Sequence, residues 1–430
     1  MTAWANALTS PACAFTPGSL GASSFAMHDS VGALPTREAT FAAFAEHVSR
    51  GKVAVFEKYE LDLVMGERSG CHFEDAFDQR RFLNCHSNGG VFNLGHRHPG
   101  VIDAVKRALD HVDIGNHHLV SAHRAALARR LSSTTKGLSG VVFGVSGGES
   151  IDLAIKVGRA VTGRRGVISV QGGYHGHTGL ALAAGDGQYR DPFGPNLPGF
   201  QQVRFGDLGA MEQALGDDTA LVLLEAIPAT LGMPIPPQGY LAGVAALCQE
   251  RGALLVIDEV QTGLGRTGRM WGHEHDGIEP DMIVVGKGLS GGIYPITATL
   301  MRPELHRFFD EHPFVHVSTF GGSEVGCAAA QAVLDVVEAP GFLAGVRALG
   351  ERFRAELAGA PFELRQRGLF MGLAFPFEGG GMLATKLLFD RGVFALYANN
   401  DTRVLQLLPP LILSDAEAQG LIATLREVFG

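Results

Sequence analysis

ALLVIDE, residues 253–259, is a run of apolar side chains that ends abruptly in two carboxylates, and its reading decides the fold. A strand apolar at every position, rather than at alternate ones, is buried on both faces of its sheet. The same texture recurs on either side, at GVVFGVS (140–146), GVISVQ (166–171), ALVLLEA (220–226) and DMIVVGK (281–287). Between these runs lie stretches long enough for crossover helices, among them Ser150 to Val161 and Leu241 to Arg251. The alternation predicts an α/β fold on a mostly parallel sheet. Four of the runs reach a polar or reactive residue at their carboxyl ends: Ser146, Glu225, Asp258 and Lys287. Open α/β sheets bind ligands beyond those ends, so one cleft can hold all four.

The chain as a whole fits this picture. With 430 residues, 46% hydrophobic and only 18% charged, it has the material for more than one buried core and is not a disordered chain. A net charge of −9, with arginines scattered, excludes a nucleic-acid footprint. No apolar run is long enough to cross a bilayer, and the opening residues do not read as a signal peptide. Cys13, Cys71, Cys85, Cys248 and Cys327 form no CxxC pair and read as reduced thiols of a cytoplasmic protein. His111, His117, His118 and His123 lack a ligand pattern, so no metal is expected. Residues 1–36 read as an arm and 37–93 as part of a smaller α+β domain. Residues 94–325 read as the large domain, and 326–430 return to the smaller one.

Lysine is scarce, with seven in the chain, which makes Lys287 between MIVVG and GLSGG unusual. Burial lowers a lysine's pKa and leaves an amine able to form a Schiff base with an aldehyde; by position alone it also fits a snorkelling side chain. Asp258 at a buried strand end needs a cation or strong donor, such as a protonated pyridine nitrogen, unless it caps the next turn. Ser146, Gly147 and Gly148 of FGVSGGES, between a strand and a helix start, suit an anion, although a glycine pair there is also an ordinary turn. Tyr174 and His175 of GGYHGH can offer an aromatic face and an imidazole to a flat ring; a buried structural tyrosine is the other reading.

Taken together, SGGE, YHGH, IDEVQTGLGRTG, VVGKGLSGG and HVSTFGG occur in an order and spacing that resembles class III pyridoxal phosphate aminotransferases, of fold type I. The resemblance runs from about Arg68 to the C-terminus and includes the family's lysine, 29 residues after Asp258. It implies a large domain with a seven-stranded sheet flanked by helices. Pyridoxal 5'-phosphate would be held on Lys287 as a Schiff base, with Asp258 at the pyridine nitrogen and Gln261 near the ring hydroxyl. Gly147 and Gly148 would bind the phosphate, Tyr174 would stack on the ring, and Glu225 would lie close by. Thr319 of HVSTFGG would reach the phosphate of a neighbouring subunit, so the resemblance implies a homodimer. The implied reaction is ping-pong transfer of an amino group from a small-molecule donor to a carbonyl acceptor.

Two departures bear on the substrate. Where the family reads VLRFLPP, this chain reads VLQLLPP, and Gln406 cannot supply the forked cation that an α-carboxylate takes. Where many relatives carry a glutamate in EPIQGEAG, this chain reads EAIPATLG and places Thr230. Both point away from a standard ornithine or 4-aminobutyrate substrate, toward an amine, an aminoaldehyde precursor or a specialised-metabolism intermediate. A racemase or epimerase of the same family is the competing reading, and a non-catalytic homologue the remaining one.

Overall fold

The computed structural model describes residues 34–115, 118–195 and 197–430, so most of the expected arm, and His117, lie outside the described residues. The chain divides into two compact units, Met1–Val55 and Phe56–Gly430. In the first, Thr36 caps a helix over Arg37–Phe44 by accepting the Ala39 N–H at 3.1 Å. The helix passes into a π-helical turn, Ala45–Ser49.

The second unit carries three sheets. Strands β1 (Met65–Ser69), β2 (His72–Asp75) and β3 (Arg81–Asn84) form an antiparallel set from DLVMGERSG and RRFLNCHSNGG. The large sheet follows: β4 (Gly140–Gly144), β5 (Gly166–Val170), β6 (Phe200–Val203), β7 (Thr219–Glu225), β8 (Leu254–Asp258), β9 (Met282–Val285) and β10 (Thr297–Met301). Its seven strands lie in the order β4-β10-β9-β8-β7-β5-β6. β6, β5, β7, β8 and β9 pair in parallel, whereas β10 runs antiparallel to both β9 and β4. The five apolar runs supply five of these strands; β6 and β10 are additions. Residues 286–296 are too short a link for a crossover helix, which is why β10 returns antiparallel.

Burial on both faces of the sheet explains the continuous apolar runs. Val222 and Leu224 of β7, Leu255 and Ile257 of β8, and Ile283 and Val285 of β9 enter one core cluster. Leu221, Leu223, Val256, Met282 and Val284 enter another, with Ile151, Ile155 and other residues of the helix Gly147–Thr162. Neighbouring residues on a strand thus feed opposite cores, so Leu223→Ala would cost about 2–5 kcal/mol.

The third sheet joins β11 (Glu363–Arg367), β12 (Phe370–Ala374), β14 (Leu396–Ala398) and β15 (Asp401–Leu407). VFALYAN, which reads as one strand, divides between two sheets. Val393–Phe394 (β13) pairs in parallel with β3, and β14 pairs antiparallel with β15. Helices span Glu324–Val337, which begins seven residues before the periodicity from Gln331, and Phe342–Glu356.

Candidate active site

The parallel register sets the chemistry. Glu225 and Asp258 are opposed residues at the carboxyl ends of β7 and β8, and Val284 of β9 lies opposite Asp258, three residues before Lys287. Both carboxylates are buried, so each needs donors. Asp258 Oδ1 accepts the Val260 N–H at 3.0 Å, and its Oδ2 meets His175 Nδ1 at 2.9 Å. Glu225 accepts the N–H groups of Tyr174 at 3.0 Å and Ala229 at 3.4 Å.

These groups titrate away from their ordinary values. Burial pushes the Glu225 carboxyl up to about 7; the nearby His175 opposes this and the Asp258 charge adds to it. Burial works against a charged His175, yet the hydrogen bond to Asp258, with the Asp258 and Glu225 charges, raises its pKa. Burial lowers the Lys287 pKa, with Asp258 and Glu225 holding it back. The result is an amine, an imidazole and two carboxyls in one buried cluster.

A cavity of about 630 Å³ opens over this cluster. Ser146, Gly147, Gly148, Tyr174, His175, Glu225, Asp258, Gln261 and Lys287 all line it, so the structure brings together nine of the residues singled out in the sequence. Ser146 caps the helix Gly147–Thr162 by accepting the Glu149 N–H at 3.2 Å, and Glu149 in turn accepts the Val145 N–H at 2.7 Å. That arrangement turns the first N–H groups of the helix toward the cavity. The two glycine motifs meet there: a Cβ on Gly176, whose φ is +118°, would lie 2.7 Å from the Gly148 Cα. Neither position tolerates a side chain.

Three residues singled out in the sequence lie outside the cavity lining. Thr319 is exposed in the segment before the helix Glu324–Val337. Gln406 is buried within β15, opposite Gly372 and Leu396. Thr230 is also buried, and its hydroxyl donates to the Gly172 carbonyl at 2.8 Å, tying the loop after β7 to the loop after β5. Conversely, the sequence reading passed over Val91, Thr178, Ser290, Tyr294 and Thr297, all of which line the cavity. Thr297 is held by Ser150, with 2.7 Å between the hydroxyl oxygens, and belongs to β10, which like β6 has no apolar-run signature. Val91 follows SNGG, a cluster of turn formers that could have marked it.

The residues fit a flat, anionic, aldehyde-bearing cofactor. Two polar atoms, His175 Nε2 and Gln261 Oε1, are buried with no hydrogen-bond partner among the described residues. A Cβ on Gly147 would meet nothing closer than Val260 at 3.6 Å, so the helix start is open on that side. Among the described residues no group of three or more histidine, cysteine or acidic side chains could hold a metal ion.

Known proteins are similar to this chain in sequence and in fold. The family model described as aminotransferase class-III matches residues 55–429. An uncharacterized aminotransferase of Archaeoglobus fulgidus is 52% identical over 87% of this chain and 90% of its own. The crystal structure of the ornithine aminotransferase of Toxoplasma gondii superposes with a TM-score of 0.83 at 26% identity, over 92% of this chain and 95% of that one. A taurine:2-oxoglutarate aminotransferase of Bifidobacterium kashiwanohense, solved with pyridoxal phosphate and glutamate, gives 0.78 at 25% identity over 85% and 91%. The fold is fold type I, the cofactor of the family is pyridoxal 5'-phosphate, and the chain belongs to the class III aminotransferases.

Proposed function

We propose that this transaminase takes its amino group from a donor held without an arginine–carboxylate pair, such as a simple amine or an aminoaldehyde precursor. The observation that carries this reading is Gln406, a neutral amide at the family's arginine position, which cannot supply the forked cation that an α-carboxylate takes.

When bound, pyridoxal phosphate supplies an electron sink for the charge left as the donor's Cα proton departs. Gly147 and Gly148 would hold its phosphate through backbone N–H groups, and Asp258, oriented by His175, would hold its ring nitrogen. Tyr174 would cover the ring face and Gln261 would take the ring hydroxyl. Lys287 would anchor the aldehyde carbon and, once the donor's own amine has displaced it there, would be free, as a buried amine of lowered pKa, to move the proton away from Cα. Glu225, protonated more readily than an ordinary carboxyl, holds the loop after β5 through the Tyr174 N–H.

The assembly proposed is a homodimer. Thr319 lies beside the exposed apolar side chains Phe314, Val315, Val317 and Phe320, with Phe314 75% exposed. A second copy would cover that surface and bring Thr319 to its cofactor phosphate. Residues 94–325 would form the cofactor-binding domain, with 37–93 and 326–430 making the smaller one. Among the described residues no helix is long and apolar enough to cross a membrane. Cys71, Cys85, Cys248 and Cys327 are free and buried, which supports work in the reducing cytoplasm.

The test is a panel of amino donors added to the loaded enzyme without a carbonyl acceptor. Amines without an α-carboxylate are expected to give carbonyl product in wild type, and Gln406→Arg is expected to shift preference toward α-amino acids. A preference unchanged by Gln406→Arg would overturn the substrate reading. Loss of the donor's optical purity with no carbonyl product would mean racemisation.

A further inference from the structure

Opposite Lys287 the backbone does something uncommon. Ser87, Asn88, Gly89 and Gly90 follow one another at φ values of +49°, +49°, +66° and +96°. Two of the four carry side chains in the left-handed region, which L-residues avoid unless their surroundings hold them there. The holding group is the buried Asn84. Its Oδ1 accepts the N–H groups of Ser87 at 2.8 Å and His86 at 3.2 Å, while its Nδ2 lies 2.9 Å from His96 Nε2. Burial, with help from Arg68 and His72, lowers the His96 pKa to about 4, so that imidazole is neutral and able to accept.

The turn presents a bare face to the site. A Cβ on Gly89 would lie 3.1 Å from Lys287 Cε and 3.1 Å from Gln261 Oε1, so one missing side chain makes room for both. Lys287 is itself at φ +44°. A Cβ on the next residue, Gly288, would come within 2.8 Å of Asn93 Nδ2 and 3.1 Å of the Gly90 carbonyl oxygen. Two left-handed segments distant in sequence thus interlock, and Val91 continues from the turn into the cavity wall.

We propose that the turn Ser87–Gly90 is a positioning element for Lys287, its bare face at Gly89 setting where the lysine side chain comes to rest. This rests on the reading of Lys287 as the cofactor-bearing amine. What a side chain at Gly89 would strike is the far part of a flexible lysine and a glutamine amide, not backbone. The fold can absorb the intrusion, and the lysine side chain must give way by a few tenths of an ångström. The charged groups acting on Lys287 are Asp258 and Glu225, and the lysine in turn, after burial, helps lower the pKa of His86 to about 4.

The test reads the amine directly in the cofactor-free full chain. Reductive methylation of Lys287 is followed by mass spectrometry across pH, with melting temperature measured alongside. Gly89→Ala is compared with Gly277→Ala, where φ is +65° and a Cβ would meet nothing within 4 Å. The two variants carry the same backbone penalty and are expected to melt alike. Only Gly89→Ala should move the labelling midpoint to higher pH, as the displaced side chain loses part of its burial, with the free-amine fraction at neutral pH falling about threefold. Asn84→Ala releases the turn without adding an atom beside the lysine and should move the midpoint the same way, which keeps the test open if Gly89→Ala does not fold. A wild-type midpoint in every variant that folds, or equal shifts in Gly89→Ala and Gly277→Ala, would overturn the proposal. Failure of wild-type protein to form a lysine-dependent absorption band with pyridoxal phosphate would instead overturn the functional reading, because the labelling needs no cofactor.

Discussion

The carboxyl ends of β5, β7, β8 and β9 and the third sheet with its neighbouring loops differ in how they carry functional residues. At the strand ends, His175, Glu225, Asp258 and Lys287 come together because parallel strands in register end at one level. Around the third sheet, Gln406 is enclosed within β15 and Thr230 is bonded to the Gly172 backbone, while Thr319 stands on an exposed surface elsewhere. Cofactor chemistry here is a property of sheet topology. Substrate choice depends on side-chain packing, and the proposed pairing on a second chain, neither of which strand register determines.

This contrast can be broken most severely at Asp258. If the strand-end cluster carries the chemistry, Asp258→Asn should lower transamination by on the order of a hundredfold or more and leave melting little changed, as steady-state kinetics and calorimetry would show. Loss of activity no greater than at the remote residues would erase the distinction.

Glu225 sharpens it next. Its folded pKa, about 7, stands above the ordinary 4.5, so the native state favours the protonated carboxyl. That contribution is fully present below about pH 4.5 and is lost as pH rises through about 7. In cofactor-free protein, the melting temperature of wild type should therefore fall relative to Glu225→Gln across that window. Parallel pH profiles for the two proteins would contradict this.

If two copies pair as proposed, Thr319→Ala should weaken the hold on cofactor without touching the cluster, a loss of about tenfold in retention if one hydrogen bond to phosphate is removed. Equilibrium dialysis would measure it. The smallest effect belongs to Thr230→Val, which removes one buried hydroxyl bond and should cost about 1 kcal/mol of stability with donor KM unchanged. A shifted KM would restore Thr230 to the substrate site.

The cofactor face was legible because its signals are local. An apolar run that ends in Asp258 or Lys287 states both that the strand is buried and where it stops. β10 left no such trace: two of the five residues of TATLM are threonines, and only its position after a link too brief for a helix sends it antiparallel. The left-handed turn at Ser87–Gly90 was visible as a cluster of turn formers, but its place against Lys287 is a tertiary fact, since the two segments are far apart in sequence. Gln406 was legible as a departure from a motif, whereas its seat inside β15 was not.

The most direct test of the central claim is a single turnover of the loaded enzyme with an amino donor and no acceptor, counting carbonyl product per active site. The account predicts one equivalent in wild type, and for Lys287→Ala a rate about a hundred- to ten-thousand-fold lower. An equally fast single turnover in Lys287→Ala, or no carbonyl product from wild type with any donor, would contradict it.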